Sequence, residues 1–392
     1  MTAGEASMTE VATTLAEQLD QVGAEADRRS DEIEELRRLP ADLVERLIDT
    51  GVFRLWIPAR YGGAEADVQT LLDAIERVAY HDGSTGWCVM IGGTTALNAG
   101  HLPADHAETI YGDPRAVTGG FGRPAGTAVR HGDALRVSGT WSWGSGTSHC
   151  TWIGGGVRIV DEEGEPATLD DGSAAPFVYV PRHEVELLDN WDAMGLRGTA
   201  SGDYRIDDVL VPAGRWVSMT GEGPTVDSPL YRFSLLGALA LGVASVSLGL
   251  ARRAVDELVA VGAKRPDASA RTLAERATVQ AEAAQADADV RSARSFVAET
   301  AAACWAAAAE GAIGDEEKRL LRLAANQAVR RSTEAVDRAH LLAGGSAVHR
   351  SSPLQRVFRD AHAATQHAMT APRMWEPLGR MLFGLPTSTR QF

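Results

Sequence analysis

The stretch AGGSAVHRSSPLQRVFRDAHAATQH, residues 343–367, is where the reading of the fold is decided. Gly344-Gly345 ends a helical pattern, because glycine takes up the backbone angles of a helix C-terminus without steric cost. Ser352-Pro353 then reads as an N-cap followed by a first-turn proline, opening a new helix over about 353–371. That helix carries Arg359 next to Asp360, with His362 and His367 beyond. No carboxylate stands between Asp360 and Glu376. The two histidines are five residues apart and do not share a face as i, i+4 ligands would, so a metal site is not expected.

Upstream of this stretch lie long Ala-rich helical segments, roughly 231–263, 272–312 and 315–343, with Asp315 a candidate N-cap. With 353–371 they make four helices joined by short connections, the pattern of an antiparallel bundle. Residues 233–250 carry no charge and are long enough to raise the question of a membrane span. Ser234, Gly237, Gly242, Ser245, Ser247 and Gly249 dilute the run, and Arg232 and Arg252 close it. A helix enclosed by a bundle or a subunit interface fits better.

From about Ala116 to Val217 the texture changes to short strand-like pieces punctuated by Gly, Asp and Pro. Arg130-His131-Gly132-Asp133 reads as a hairpin turn, and 161–176 as an exposed loop. Before residue 112 the pattern is helical again. Pro40 precedes one helix that Gly51 stops, a second runs from Val68 to Tyr80, and a third, apolar one follows His81-Asp82-Gly83. The expected domains are therefore 1–115, helical; 116–225, β; and 226–392, a four-helix bundle.

Composition narrows the function classes. The 392 residues carry a formal charge of −15, and arginine doublets such as Arg252-Arg253 and Arg330-Arg331 are isolated. A nucleic-acid partner needs a clustered basic face, and none is present. The three cysteines, Cys88, Cys150 and Cys304, lie far apart, as suits a reducing compartment. The polar, acidic N-terminus resembles no secretory signal, so a cytoplasmic protein without a membrane partner is expected. Neither a GxGxxG turn after a strand nor a GxxxxGK[ST] loop occurs, which argues against a Rossmann or P-loop domain.

The order helices, β module, bundle resembles the acyl-CoA dehydrogenase superfamily. LRGTASGDYRIDDVLVP, 196–212, is similar to that family's middle-domain segment, SGTWSWGSG, 138–146, to the segment that sets a Trp and a Ser or Thr against a flavin ring, and 343–367 to its glycine-pair turn and last bundle helix. The fold this implies is mainly α with a central β-barrel or sandwich. The tail resembles the flavin-dependent hydroxylases of the superfamily more than its dehydrogenases. In many dehydrogenases a glutamate several residues past the RD pair abstracts the substrate α-proton; here that place falls near His367-Ala368.

The resemblance implies reduced flavin as cofactor, FADH2 in preference to FMNH2, with O2 as co-substrate, a separate flavin reductase as partner, and a homotetramer. It gives Trp143 the role of an apolar wall on the ring, though by pattern alone that residue reads as a core aromatic. Ser145, expected on the same strand face, would turn its hydroxyl to the N5 edge. Trp191 would be a second flavin-side aromatic, Thr118, Gly119, Gly120 and Phe121 a flavin-contacting loop, and Gly344 and Gly345 the turn along the nucleotide, besides capping a helix. Arg265 would meet the pyrophosphate, and the imidazole of His367 would face flavin and substrate.

Several phenol hydroxylases of the group carry a histidine on the helix after the run that here reads DGSTGW, 82–87. This sequence has Thr94-Thr95 there and no histidine before His101. The expected substrate is then an indole- or polyketide-like carbon, or an amine nitrogen, in a pocket shaped by Met90, Thr94 and Thr95. The alternatives are an acyl-CoA dehydrogenase with a relocated base and a non-enzymatic helical scaffold.

Overall fold

The computed structural model describes residues 3–170, 172–218, 223–263, 271–311, 313–389 and 392. Six helices come first: α1 (Ala3–Arg28), α2 (Ser30–Leu36), α3 (Ala41–Asp49), α4 (Val68–His81), α5 (Gly83–Thr95) and α6 (Ala104–Tyr111). The strands are β1 (Thr118–His131), β2 (Ala134–Trp141), β3 (Trp152–Val160), β4 (Phe177–Pro181), β5 (Glu186–Leu187), β6 (Tyr204–Val211) and β7 (Trp216–Val217). Then follow α7 (Pro229–Arg232), α8 (Leu235–Gly262), α9 (Ala277–Glu310), α10 (Asp315–Ala343), α11 (Pro353–Ala364) and α12 (Trp375–Leu382).

Asp82 starts α5 by accepting from the Thr85 amide at 2.7 Å, an N-cap that satisfies one of the four free donors of a first turn. Every α5 residue from Gly83 to Thr94 is buried, so the helix has no polar face; α4, α8 and the β1 end of the sheet enclose it. Helix α8 is long and apolar enough to cross a membrane, but it runs through the centre of the molecule against α4, α5, α10 and α11. Its small residues permit that crowding. A Cβ on Gly249 would stand 2.3 Å from the Glu76 carbonyl oxygen, and one on Gly242 would stand 2.8 Å from Met90 Cγ.

Four helix boundaries differ from the sequence expectation, the first being the segment at 231–263, which splits into α7 and an α8 that Ser234 caps. Gly314 takes the N-cap position of α10, and Asp315 is the first helical residue, its charge near the positive helix end. Residues 272–275 form a separate turn closed by a Thr272–Glu275 capping box, so α9 begins at Ala277. Helix α11 ends at Ala364 rather than near 371. There the Thr365 hydroxyl donates to the His362 carbonyl at 2.6 Å, a side-chain bond that competes with helix continuation.

The strands form one seven-stranded mixed sheet in the order β5-β6-β2-β1-β3-β4-β7. β1 and β3 are parallel and the other neighbours antiparallel. The hairpin turn expected at Arg130-His131-Gly132-Asp133 joins β1 to β2, with Gly132 at φ +65°. Register breaks in β1 between Phe121 and Gly126 curl the sheet, as bulges do. The curl is deep enough for Tyr204 on β6 to donate its hydroxyl to the Gly154 carbonyl on β3, at 2.6 Å. Trp141 stacks on Tyr204 at 5.4 Å inside the curl and donates Nε1–H to the Gly156 carbonyl.

Candidate active site

The loop 191–201 is clamped by three helices. The Leu196 amide donates to Asp360 Oδ1 of α11 at 2.6 Å, the Gly198 amide to Ser84 Oγ of α5 at 3.0 Å, and the Ala200 amide to the Arg37 carbonyl after α2 at 3.1 Å. Gly195 lies so close to α11 that a Cβ there would sit 2.1 Å from the Arg359 carbonyl oxygen. Leu196 and Ala200 are both held in the left-handed region, at φ 51° and 48°. Non-glycine residues in this region cluster where surrounding bonds over-determine the backbone, often beside a functional site.

A directed hydrogen-bond chain crosses this loop. Thr199 Oγ1 donates to the Leu196 carbonyl at 2.8 Å, so its other contact, Ser201 Oγ at 2.6 Å, must donate to it. Ser201 therefore accepts from Ser145 Oγ, also at 2.6 Å, and Ser145 accepts from Trp87 Nε1 at 3.0 Å. Ser145 keeps one free lone pair and has no proton left to give. The Leu196 carbonyl also accepts from Trp191 Nε1 at 3.1 Å, which joins that indole to the same network.

Ser145 and Trp143 do not share a strand face. β2 ends at Trp141, and Trp143 adopts φ +66°, which turns the chain so that the two side chains part. Ser145 is buried at 6% exposure, while Trp143 is 58% exposed and meets Trp191 edge-on at 5.7 Å. Met194, from the Trp191 loop, is exposed to the same extent. The sequence-chosen pair of tryptophans is thus brought together as an uncovered apolar wall.

His367 lies in the turn after α11, not on the helix, and Thr370 N–H closes that turn on the His367 carbonyl at 3.0 Å. Its ring meets Trp87 edge-on, centroids 5.5 Å apart. Burial pushes the imidazole down to about 4, helped by the positive charge of Arg322. The ring is therefore neutral at pH 7. Because Nδ1 accepts from the Met369 amide at 3.3 Å, the remaining proton belongs on Nε2. His362 instead pairs with Asp337 at 2.8 Å.

Thr118 and Thr95 come together: Thr95 Oγ1 lies 2.8 Å from the Thr118 carbonyl and 2.9 Å from its hydroxyl. A Cβ on Gly119 would reach Cys150 Sγ at 2.8 Å and the Ser145 carbonyl at 3.5 Å, so β1 backs directly onto the Ser145 turn. Gly120, at φ +138°, leaves no space beside Gly154, and the Phe121 amide donates to Tyr204. Met90 and Thr94 pack inward on α8 at Gly242, and Thr94 bonds the Met90 carbonyl at 2.7 Å. Gly344 and Gly345 sit exposed at the α10–α11 turn, remote from any side chain. Arg265 lies outside the described residues.

Sequence reasoning missed Trp87, Thr199, Ser201 and the buried acids. Asp82 and Asp360 are both buried and raised by it; Asp360, to about 7, also feels the charge of Asp82. The only signal in the sequence was the motif itself, since nothing local marks a serine 56 residues away as a partner of Ser145.

The acyl-CoA dehydrogenase N-terminal domain family matches residues 7–102 and the C-terminal domain family matches residues 241–372. An indole-3-acetate monooxygenase from Pseudomonas putida is 31% identical over 91% of this chain and 90% of its own length. The flavin-dependent monooxygenase oxygenase subunit HsaA of Mycobacterium tuberculosis is 30% identical over 94% of this chain and 95% of its own. The chain belongs to the acyl-CoA dehydrogenase superfamily. Within it, the protein is a flavin-dependent monooxygenase, an oxidoreductase. The structure of XiaF from Streptomyces sp. in complex with FADH2 and glycerol superposes with a TM-score of 0.90, at 29% identity over 98% of both chains. As a flavin-dependent monooxygenase the chain must offer an apolar face to an isoalloxazine. The exposed Trp143, with Trp191 and Met194, fits that demand, and Ser145 offers an acceptor suited to the N–H of a reduced ring.

Proposed function

We propose that this chain is the oxygenase component of a two-component system. It takes reduced flavin, FADH2 in preference to FMNH2, from a separate reductase in the cytoplasm. With O2 it hydroxylates an indole- or polyketide-like aromatic, or oxidises an amine. The observation that carries this reading is the neutral His367 held edge-on to Trp87, which in turn bonds Ser145.

Bound reduced flavin would supply the electrons that activate O2. The residues of the chain do the rest. Trp143, Trp191 and Met194 would cover the ring and exclude water, which strengthens every polar contact within. Ser145 would accept from the ring's N–H, with its own proton committed to Ser201. His367, protonated on Nε2 with its Nδ1 lone pair taken by the Met369 amide, would donate a hydrogen bond to an oxygen beside the ring. A carboxylate base for α-proton abstraction has no counterpart in the His367 turn.

The α5 side favours a substrate that needs no ionised phenol. The Thr94 and Thr95 hydroxyls are engaged with backbone carbonyls, and neither is a titratable group that could polarise a phenolate. The kinship with an indole-3-acetate monooxygenase supports an indole-type carbon. The uncovered apolar residues Leu341 and Val348, 79% and 66% exposed beside the glycine pair, support an assembly of several copies, a homotetramer.

The test supplies photoreduced FAD, oxygen and an indole acid, and measures oxygen uptake and oxygenated product. Product that appears only with reduced flavin is expected. Turnover of an acyl-CoA with an electron-acceptor dye would overturn the proposal.

A further inference from the structure

We propose that Arg322 is a positioning residue for His367: from α10 it grips the carbonyl of Met369 and so fixes the turn that presents the imidazole to Trp87. Arg322 is fully enclosed, at 0% exposure, in a bundle helix whose other buried positions are mainly Ala, Leu and Val. A guanidinium is costly to bury unless its donors find acceptors. Its Nη1 lies 2.7 Å from the Met369 carbonyl oxygen and 3.0 Å from the Met369 sulfur. One turn along α10, Asn326 directs Nδ2 to the same carbonyl at 3.5 Å.

The amide of Met369 donates to His367 Nδ1. One residue, two places beyond His367, therefore transmits the grip: α10 holds the carbonyl of Met369, and the N–H of Met369 holds the ring. The same bond selects the tautomer, so Arg322 acts on which nitrogen of His367 carries the proton as well as on where the ring stands. The ring of Phe392 closes the far side of the guanidinium, 5.8 Å from it.

Arg322 also sets the electrostatic environment. Among the described residues it supplies the charge that acts on the imidazole; α5 contributes the uncharged Trp87, and α11 contributes His362 already paired with Asp337. A positive charge beside a histidine disfavours its protonated form, so the grip also keeps His367 neutral towards lower pH.

The inference rests on the assignment of His367 to the reacting site, and the experiment separates the two. Coupling, meaning product formed per reduced flavin consumed, is measured against pH for the full-length protein and for R322M, R322K, H367A and the double variant R322M/H367A. In R322M the acid limb of coupling should move up by about one pH unit, and coupling at pH 7 should fall roughly tenfold. R322K keeps the charge and should hold the acid limb near its original place. In the H367A background, R322M should change coupling no further. If H367A itself leaves coupling unchanged, the assignment of His367 fails. If H367A lowers coupling but folded R322M shifts nothing, or lowers it additively with H367A, the role of Arg322 is overturned. Should R322M not fold, R322Q and the pH titration of His367 by NMR in that variant decide: an imidazole that titrates as in the parent, with coupling unchanged, overturns the inference.

Discussion

The indole of Trp87 stands edge-on to the imidazole of His367, ring centroids 5.5 Å apart, while its N–H is given to Ser145 at 3.0 Å. One side chain of α5 therefore joins the histidine of the α11 turn to the serine of the β2 turn, 222 positions apart. Neither group reaches the other directly.

Replacing His367 should uncouple the enzyme. In H367A, oxygen and reduced flavin are still consumed, but product should fall by roughly 10²-fold with hydrogen peroxide released in its place. Product and peroxide quantified from the same reaction check this, and unchanged yields remove His367 from the chemistry.

Trp87→Phe keeps an aromatic edge against His367 and deletes only the donor to Ser145. Ser145 can then rotate, because a lone pair loses its partner while the donation to Ser201 remains. The variant should fold with a loss of about 1 kcal/mol, the worth of one neutral hydrogen bond, and show weaker coupling than the parent. Denaturant melts paired with product yields measure both.

Trp143 projects into solvent, so W143A should alter stability by no more than about 0.5 kcal/mol. Its contribution lies in covering a ring. Affinity for reduced flavin should weaken roughly tenfold, read by anaerobic fluorescence titration. An unchanged dissociation constant would place the ring elsewhere.

Asp360 answers to pH and to its bond with Leu196. Burial and the charge of Asp82 raise it to about 7 in the folded chain against 3.8 in a free one. The folded state therefore holds a proton that the unfolded state releases, and stability is lost as pH rises from 4 through 7. Asp360→Asn keeps an acceptor for Leu196 without the charge, and should be the more stable form at pH 8 by roughly 1–3 kcal/mol. Asp360→Ala leaves the Leu196 amide unsatisfied and should lose about 1–3 kcal/mol at low pH as well. Urea midpoints at pH 5 and pH 8 distinguish the two.

His367 and His149 run the other way. Burial pushes each to about 4, well below the ordinary histidine range. Unfolded chains gain protons near pH 6.5 that the folded chain refuses, so their contribution is intact above that pH and lost as pH falls towards 4. His149→Phe should flatten this acid loss without changing coupling at pH 7, as followed by melts from pH 4 to 7.

Much of the molecule was legible before folding. The glycine pair, the Ser352-Pro353 start, the uncharged run at 233–250 and the hairpin at 130–133 are local signals whose physics depends on near neighbours, and the structure bears them out. Local signals also placed His367 on a helix and Ser145 on a strand, and both were misplaced. A threonine hydroxyl ended α11 early, and a left-handed Trp143 turned the chain before Ser145.

By itself, then, the sequence determined the order of helices, sheet and bundle, the resemblance that named the family, and the missing carboxylate near His367. Periodicity, caps and turn residues act over a few positions, so they survive in a linear string. Only the tertiary structure decided that Trp87 mediates between His367 and Ser145, that the Ser145 proton is committed inward, and that Arg322 holds the His367 turn. Hydrogen-bond direction and burial depend on which groups are brought within 3 Å by packing, and no spacing along the chain encodes that.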